Sequence, residues 1–144
     1  MLVSQILKSK ADVGVISVTP TSSVTDAAKL LSQHRIGTVV VSSDGETLEG
    51  ILSERDIVRE LGKRGTGCLS DPVSDLMTAK LTTCSPSNTA LEVLEMMTAG
   101  RFRHLPVMVD GKMVGLISIG DAVKGRLAEL AMEKESLEGM IMGH

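Results

Sequence analysis

Two stretches place a serine and a carboxylate at a spacing that suits chemistry: GILSERD at Gly50–Asp56 and GLISIGD at Gly115–Asp121. In each, a glycine and two aliphatic residues lead into Ser-x-x-Asp, so that a strand runs straight into a helix. At such a turn the serine oxygen accepts from a helix amide and the aspartate opposes the helix dipole. That is a plain cap. The same turn also aims amides and a positive dipole end outward, which suits a phosphate. Ser53 or Ser118 can then donate to a phosphate oxygen, and Asp56 or Asp121 can accept from both hydroxyls of a ribose. Gly120, just before Asp121, permits close approach of a ligand to the backbone. Both readings fit this spacing.

The elements that position the two motifs are themselves repeated. Gly50 and Gly115 lie 65 residues apart, as do Ser53 and Ser118, and Asp56 and Asp121. Upstream the offset is 66, pairing Pro20 with Pro86, Val24 with Ala90, Leu31 with Met97 and Ile36 with Phe102. The slip falls between the Asp44-Gly45 turn and Gly50, where a loop tolerates an insertion. At the start, VSQIL (Val3–Leu7) is similar to VSDLM (Val73–Met77) at an offset of 70.

Each copy is predicted as strand, helix, strand, strand, helix. Val15–Thr19 and Lys80–Cys84 are short β-rich runs, and Ser23-x-x-Asp26 and Thr89-x-x-Glu92 have capping-box spacing. Helical one-face spacing follows at Val24, Ala27, Ala28 and Leu31, and at Ala90, Val93, Leu94 and Met97. Thr38–Val41 and Leu105–Val109 are each followed by Asp-Gly, a hairpin signal. The returning strands are Glu49–Leu52 and Met113–Ile117, and helices begin near Glu54 and Ile119. The turn-rich Lys63–Pro72 reads as the linker.

Composition narrows the class. The 144 residues suffice for one domain or two very small ones, with 42% hydrophobic residues to build a core. Phe102 is the single aromatic, so aliphatic residues, Met and Ala must fill that core. A net charge of −3, without a basic stripe or stacking aromatics, argues against nucleic acid as partner. There is no signal-peptide pattern and no apolar run long enough for a membrane span. Cys68 and Cys84 form no CxxC or zinc set; they fit a reducing cytoplasm, although their pairing as a disulfide stays open. The expectation is a cytoplasmic protein that does not engage membranes.

Two copies of this unit, each closing on Gly, two aliphatics and Ser-x-x-Asp, resemble a tandem pair of CBS domains, the cystathionine β-synthase-type module. RHLPVMVDGKMVGLISIGD (Arg103–Asp121) carries the resemblance most fully. IGTVVVSSDGETLEGILSERD (Ile36–Asp56) departs from it in having Val40 where the second copy has Pro106. The resemblance implies an α/β fold, with repeat 1 over residues 1–66, repeat 2 over 70–126 and a helical extension over 127–144. It further implies packing about a pseudo-twofold axis, two adenosine clefts between the repeats, and a homodimer.

By the same resemblance the protein is a sensor or regulatory module, not an enzyme. Its ligand would be AMP, ADP, ATP, NAD(H) or S-adenosylmethionine, with AMP or NADH favoured because the chain lacks an obvious acidic pocket. Asp56 and Asp121 would hold ribose hydroxyls, and Ser53 and Ser118 would face phosphate. Thr19 and Ser85 would line the same clefts. Thr38, Val39 and Val40, and His104, Leu105 and Pro106, would give backbone and apolar contacts to adenine. Arg103 and His104 match basic positions that meet phosphates, with Arg55 and Lys80 as further cations; each also fits a solvated surface charge. A structural dimerisation module without a nucleotide is the alternative.

The remaining chemistry is sparse. Three scattered histidines have no metal spacing, and His34 reads as the end of a helix. Cys84, beside Ser85, is either a redox-sensitive thiol at a cleft mouth or a structural core cysteine. No catalytic set can be nominated. From Asp121 to Met142 the chain continues as one long helix, with Leu127, Leu130, Leu137 and Ile141 near one stripe. An extended apolar stripe calls for a partner, and a second subunit is the expected one.

Overall fold

A computed structural model describes residues 1–10 and 14–141. The chain divides into two compact units. The first holds Val13–Thr82 and Asp110–Val114; the second holds Met1–Asp12, Thr83–Val109 and Gly115–His144. The architecture is mixed α/β, as the sequence predicts.

In the first unit, β1 (Ser17–Val18) leads to α2 (Val24–His34), β2 (Thr38–Val41), β3 (Gly50–Ser53) and α3 (Glu54–Arg64). The sheet has the order β1-β2-β3. β1 runs parallel to β2, with Ser17 opposite Val40, and β3 runs antiparallel, with Thr38 opposite Ser53. The second unit opens with α1 (Val3–Ser9) and carries α4 (Ala90–Gly100), β4 (His104–Val109), residues 115–118 of β5 (Lys112–Ser118), and α5 (Ile119–Ile141). Each unit has its own aliphatic core, and the two cores correspond residue for residue. Val24, Ala27, Leu31, Val39, Val41, Leu52 and Ile57 fill one. Their repeat equivalents Ala90, Val93, Met97, Leu105, Val107, Ile117 and Ala122 fill the other. The helix spacing and the strand alternation therefore place the same side chains inward twice.

The short leader motif of each repeat explains the 70-residue offset. Val3 and Ile6 of α1 are buried in the second unit's core, and Val73 and Leu76 in that of the first. Leu2 bridges Thr89 while Pro72 bridges Ser23, so each leader pairs beside a helix N-terminus. The Ala90 amide donates to the Met1 carbonyl at 2.9 Å, and the Val24 amide to the Asp71 carbonyl at 3.0 Å. These bonds satisfy amides that begin a helix and have no intrahelical acceptor.

Two expectations change in detail and a third holds. The strand expected at Lys80–Cys84 shrinks to a single parallel bridge, Cys84 with Val107. Pro106 is the cause: Val40 donates its amide to Ile16 at 3.1 Å, and a proline in the equivalent place has no amide to give. The supposed linker is ordered. It forms a 3-10 helix at Gly65–Ser70, buries Cys68, accepts a bond from the Thr25 hydroxyl at Leu69, and pairs Arg64 with Asp71 at 2.7 Å. The long C-terminal helix forms as expected up to Ile141; Met142 lies outside the described residues.

The glycine that opens each motif has a packing reason. A Cβ on Gly115 would come within 2.9 Å of the Leu7 side chain; one on Gly50 would meet Met77 Sδ at 2.6 Å and the Thr78 carbonyl at 3.0 Å. The leader residue lies directly over the strand. Gly50→Ala and Gly115→Ala should each lower stability by about 1–3 kcal/mol in thermal melts, Gly50→Ala more because a backbone carbonyl cannot swing away. Gly120→Ala is the control. Its Cβ would meet Ser118 Oγ at an ordinary 3.7 Å, and the melting temperature should hold or rise slightly.

Candidate functional site

Each motif sits where a strand becomes a helix, and in both the cap is reciprocal. The Asp121 amide donates to Ser118 Oγ at 3.1 Å, and the Ser118 amide donates to Asp121 Oδ2 at 2.9 Å. In the first unit the Asp56 amide donates to Ser53 Oγ at 3.2 Å and the Ser53 amide to Asp56 Oδ2 at 2.9 Å. The helix start is also tied to the neighbouring strand. Ile119 donates to the Arg103 carbonyl at 2.8 Å, and Glu54 to the Gly37 carbonyl at 2.9 Å. Capping is thus real in both copies, and it fixes Ser and Asp beside the backbone at Gly37–Thr38 and Arg103–His104.

What the cap leaves over differs. Asp56 is buried and has both oxygens engaged: Ser53 Oγ donates to Oδ2 at 3.0 Å, and Arg59 donates to Oδ1 at 2.8 Å. Among the described residues, the bonds to Asp121 fall on Oδ2 alone, from the Ser118 amide and from Lys10 Nζ at 2.8 Å. The Asp121 side chain is 20% exposed against 10% for Asp56. Burial disfavours the Asp121 charge, but the Lys10 ammonium and the Ser118 amide outweigh it and hold the carboxyl below its ordinary value. The second copy therefore offers a charged, reachable carboxylate with an oxygen to spare.

The other expected residues fall into three places. Thr38 is buried and lies opposite Ser53 in the β2–β3 pairing; Arg55 is exposed on the first turn of α3. Val39 and Leu105 point into the cores, so what they can present to a ligand is backbone; Val40 and Pro106 are buried at the next positions along the strands. Arg103 is exposed and His104 half-buried where β4 begins, beside the start of α5, and Lys80 is exposed. Gly120 is exposed on the first turn of α5.

Thr19 and Ser85 do not join their clusters. By the β1–β2 register Thr19 falls level with Ser42, four residues along β2 from Thr38. At the strand rise that is roughly 13 Å from the Ser53 end. Thr19 Oγ1 instead bonds Ser22 Oγ at 2.8 Å. Ser85 follows the Cys84–Val107 bridge in the same way, and its amide donates to Asn88 Oδ1 at 2.8 Å. Both residues serve the turns that lead into α2 and α4. Cys84 is 5% exposed, and burial pushes its thiol up to about 11, so it is a core thiol rather than a reactive thiolate.

Sequence reasoning missed Lys10. The signal was present, because the repeat of VSQIL in VSDLM extends to VSQILKSK against VSDLMTAK and aligns Lys10 with Lys80. Arg59 was missed as well, three residues beyond Asp56 on one helix face.

The CBS-domain family model matches residues 3–63 and 73–127. The chain belongs to the CBS domain family. The mitochondrial CBS domain-containing protein CBSX3 of Arabidopsis thaliana is 38% identical over 148 residues, covering 98% of this chain and 72% of that protein. The crystal structure of a CBS-domain containing protein from Agrobacterium tumefaciens is 40% identical and superimposes with a TM-score of 0.82, covering 88% of this chain and 99% of that one. A CBS domain protein from Pyrobaculum aerophilum, solved in complex with AMP, shares the fold at 23% identity and a TM-score of 0.72, over 84% of this chain and 89% of that one. The family match indicates no catalytic enzyme family. Among the described residues no helix is long and apolar enough to cross a membrane.

The pairing at Asp121 gives a pH prediction. A carboxyl held below its ordinary value stabilises the fold fully above about pH 5 and loses that contribution as pH falls through the folded-state value. The melting-temperature gap between wild type and Asp121→Asn should be constant above about pH 5 and close towards pH 2. Differential scanning fluorimetry across that range reads it.

Proposed function

We propose that this protein is a regulatory module that binds an adenosine-containing ligand, with Asp121 accepting the ribose hydroxyls. The observation that carries this reading is the Asp121 carboxylate, anchored by Ser118 through one oxygen while the other is left to a sugar. Ser118 Oγ accepts from the helix, and its hydroxyl can turn from the Asp121 carboxylate to donate to a phosphate. The exposed Arg103 supplies positive charge at the neighbouring strand, with the half-buried His104 beside it. The AMP bound by the Pyrobaculum aerophilum protein supports a nucleoside monophosphate as the first ligand to try, with NAD(H) and ATP next.

The Asp56 site is the weaker of the two in this reading, since Arg59 and the Ser53 hydroxyl already fill its carboxylate. Buried free thiols at Cys68 and Cys84 suit a reducing compartment such as the cytoplasm. Titration calorimetry with AMP tests the reading. Asp121→Ala should weaken the tighter event about tenfold to a hundredfold, the scale of a lost charged hydrogen bond. In wild type, 2′-deoxy-AMP should lose part of the same energy, and in Asp121→Ala little more. A wild type indifferent to the sugar hydroxyl, or a tighter event lost on Asp56→Ala instead, overturns the assignment.

Self-association is a second reading with its own observation. On α5, Leu127, Leu137, Met140 and Ile141 are all more than half exposed. A projecting helix with this surface gains from a second copy. The protein should sediment as a homodimer at micromolar concentration, and truncation after Arg126 should weaken that assembly.

A further inference from the structure

Lys10 closes the leader helix α1, and its ammonium reaches 2.8 Å from Asp121 Oδ2 and 3.0 Å from the Leu116 carbonyl. The leader is held in place by more than this contact. Val3 and Ile6 are buried in the second unit, Leu7 lies over Gly115, and the amides of Val3 and Ser4 donate to Asn88 and Pro86 at 2.8 and 3.0 Å. Lys10 therefore stands at the end of a fixed arm, aimed at the carboxylate that the proposed function assigns to ribose.

We propose that Lys10 is a built-in competitor for the sugar at Asp121, so that ligand binding and the Lys10 contact exclude each other. The inference rests on the ribose reading of Asp121. A carboxylate oxygen has two lone pairs, and those of Oδ2 are taken by the Ser118 amide and Lys10 Nζ. A vicinal diol that spans the carboxylate needs one lone pair on each oxygen. The Ser118 bond belongs to the helix cap and stays, so Lys10 is the group that yields. The Lys10 side chain is 39% exposed and its ammonium hydrates readily once released, which makes the competition a tuning of affinity rather than a block. The matching leader of the first copy ends in Lys80, but there Arg59, from the same helix as Asp56, is the cation on the carboxylate.

Adenosine is the probe, because it carries the diol without a charge for Lys10 to attract. Calorimetry on wild type, Lys10→Met and Lys10→Arg, at low and high salt, reads the competition. Lys10→Met should bind adenosine about two- to fivefold more tightly than wild type, the scale of a partly exposed ion pair. Lys10→Arg, which keeps a cation at the carboxylate, should stay near wild type. Added salt should tighten adenosine binding to wild type and leave Lys10→Met unchanged. Equal or weaker binding by Lys10→Met, or a wild type without salt dependence, overturns the competition while leaving the ribose reading intact. Adenosine and AMP binding to none of the three proteins overturns the ribose reading and this inference with it. If Lys10→Met melts early, the salt dependence of wild type and Lys10→Arg decides the matter.

Discussion

The start of α3 and the start of α5 depend on one constraint: a helix that begins directly from a strand must find acceptors for its first amides. Ser53 with Asp56, and Ser118 with Asp121, meet it reciprocally, and the carbonyls of Gly37 and Arg103 take the next amide. The solution fixes a carboxylate at the N-terminal end of a helix, where the dipole favours its charge. Recognition and capping are therefore not rivals. The cap uses one carboxylate oxygen and one lone pair of the serine, and the remaining groups are what a ligand can use.

The two copies spend those remaining groups differently, and small sequence changes are the reason. Arg59 stands one turn beyond Asp56 and closes its second oxygen, so the first motif is a completed cap. At the matching position on α5 stands Lys124, which forms no ion pair with Asp121; that carboxylate meets Lys10 from the leader instead. Pro106 removes a strand donor and shortens the pairing beside β4, while Val40 keeps it. The same fold thus holds one carboxylate closed by its own helix and one that a lysine at the end of an arm meets through a single oxygen.

Much of this was legible in the sequence because a repeat tests itself. Ala27 and Val93, or Leu52 and Ile117, occupy equivalent core positions, and a wrong period in one copy would have failed in the other. The Ser-x-x-Asp pairing was readable for the same reason. What was not readable depends on register and on contacts distant in sequence. Thr19 and Ser85 stand near the right strands, yet parallel pairing places them at the far end from Ser53 and Ser118. The leader repeat aligns Lys10 with Lys80, but Lys10 lies 111 residues from Asp121 and no local pattern announces their contact. The ordered segment after Arg64 was masked by its turn-forming composition, because burial of Cys68 and the Arg64–Asp71 pair are tertiary.

The central claim is that the aspartate of a helix cap also receives a ribose. A crystal structure of the protein with bound adenosine tests it directly. The account predicts both sugar hydroxyls within hydrogen-bond distance of the Asp121 carboxylate, the Ser118 cap intact and Lys10 turned away. Adenosine bound elsewhere, or bound with Lys10 still on Asp121 Oδ2 and the sugar hydroxyls facing solvent, would contradict it.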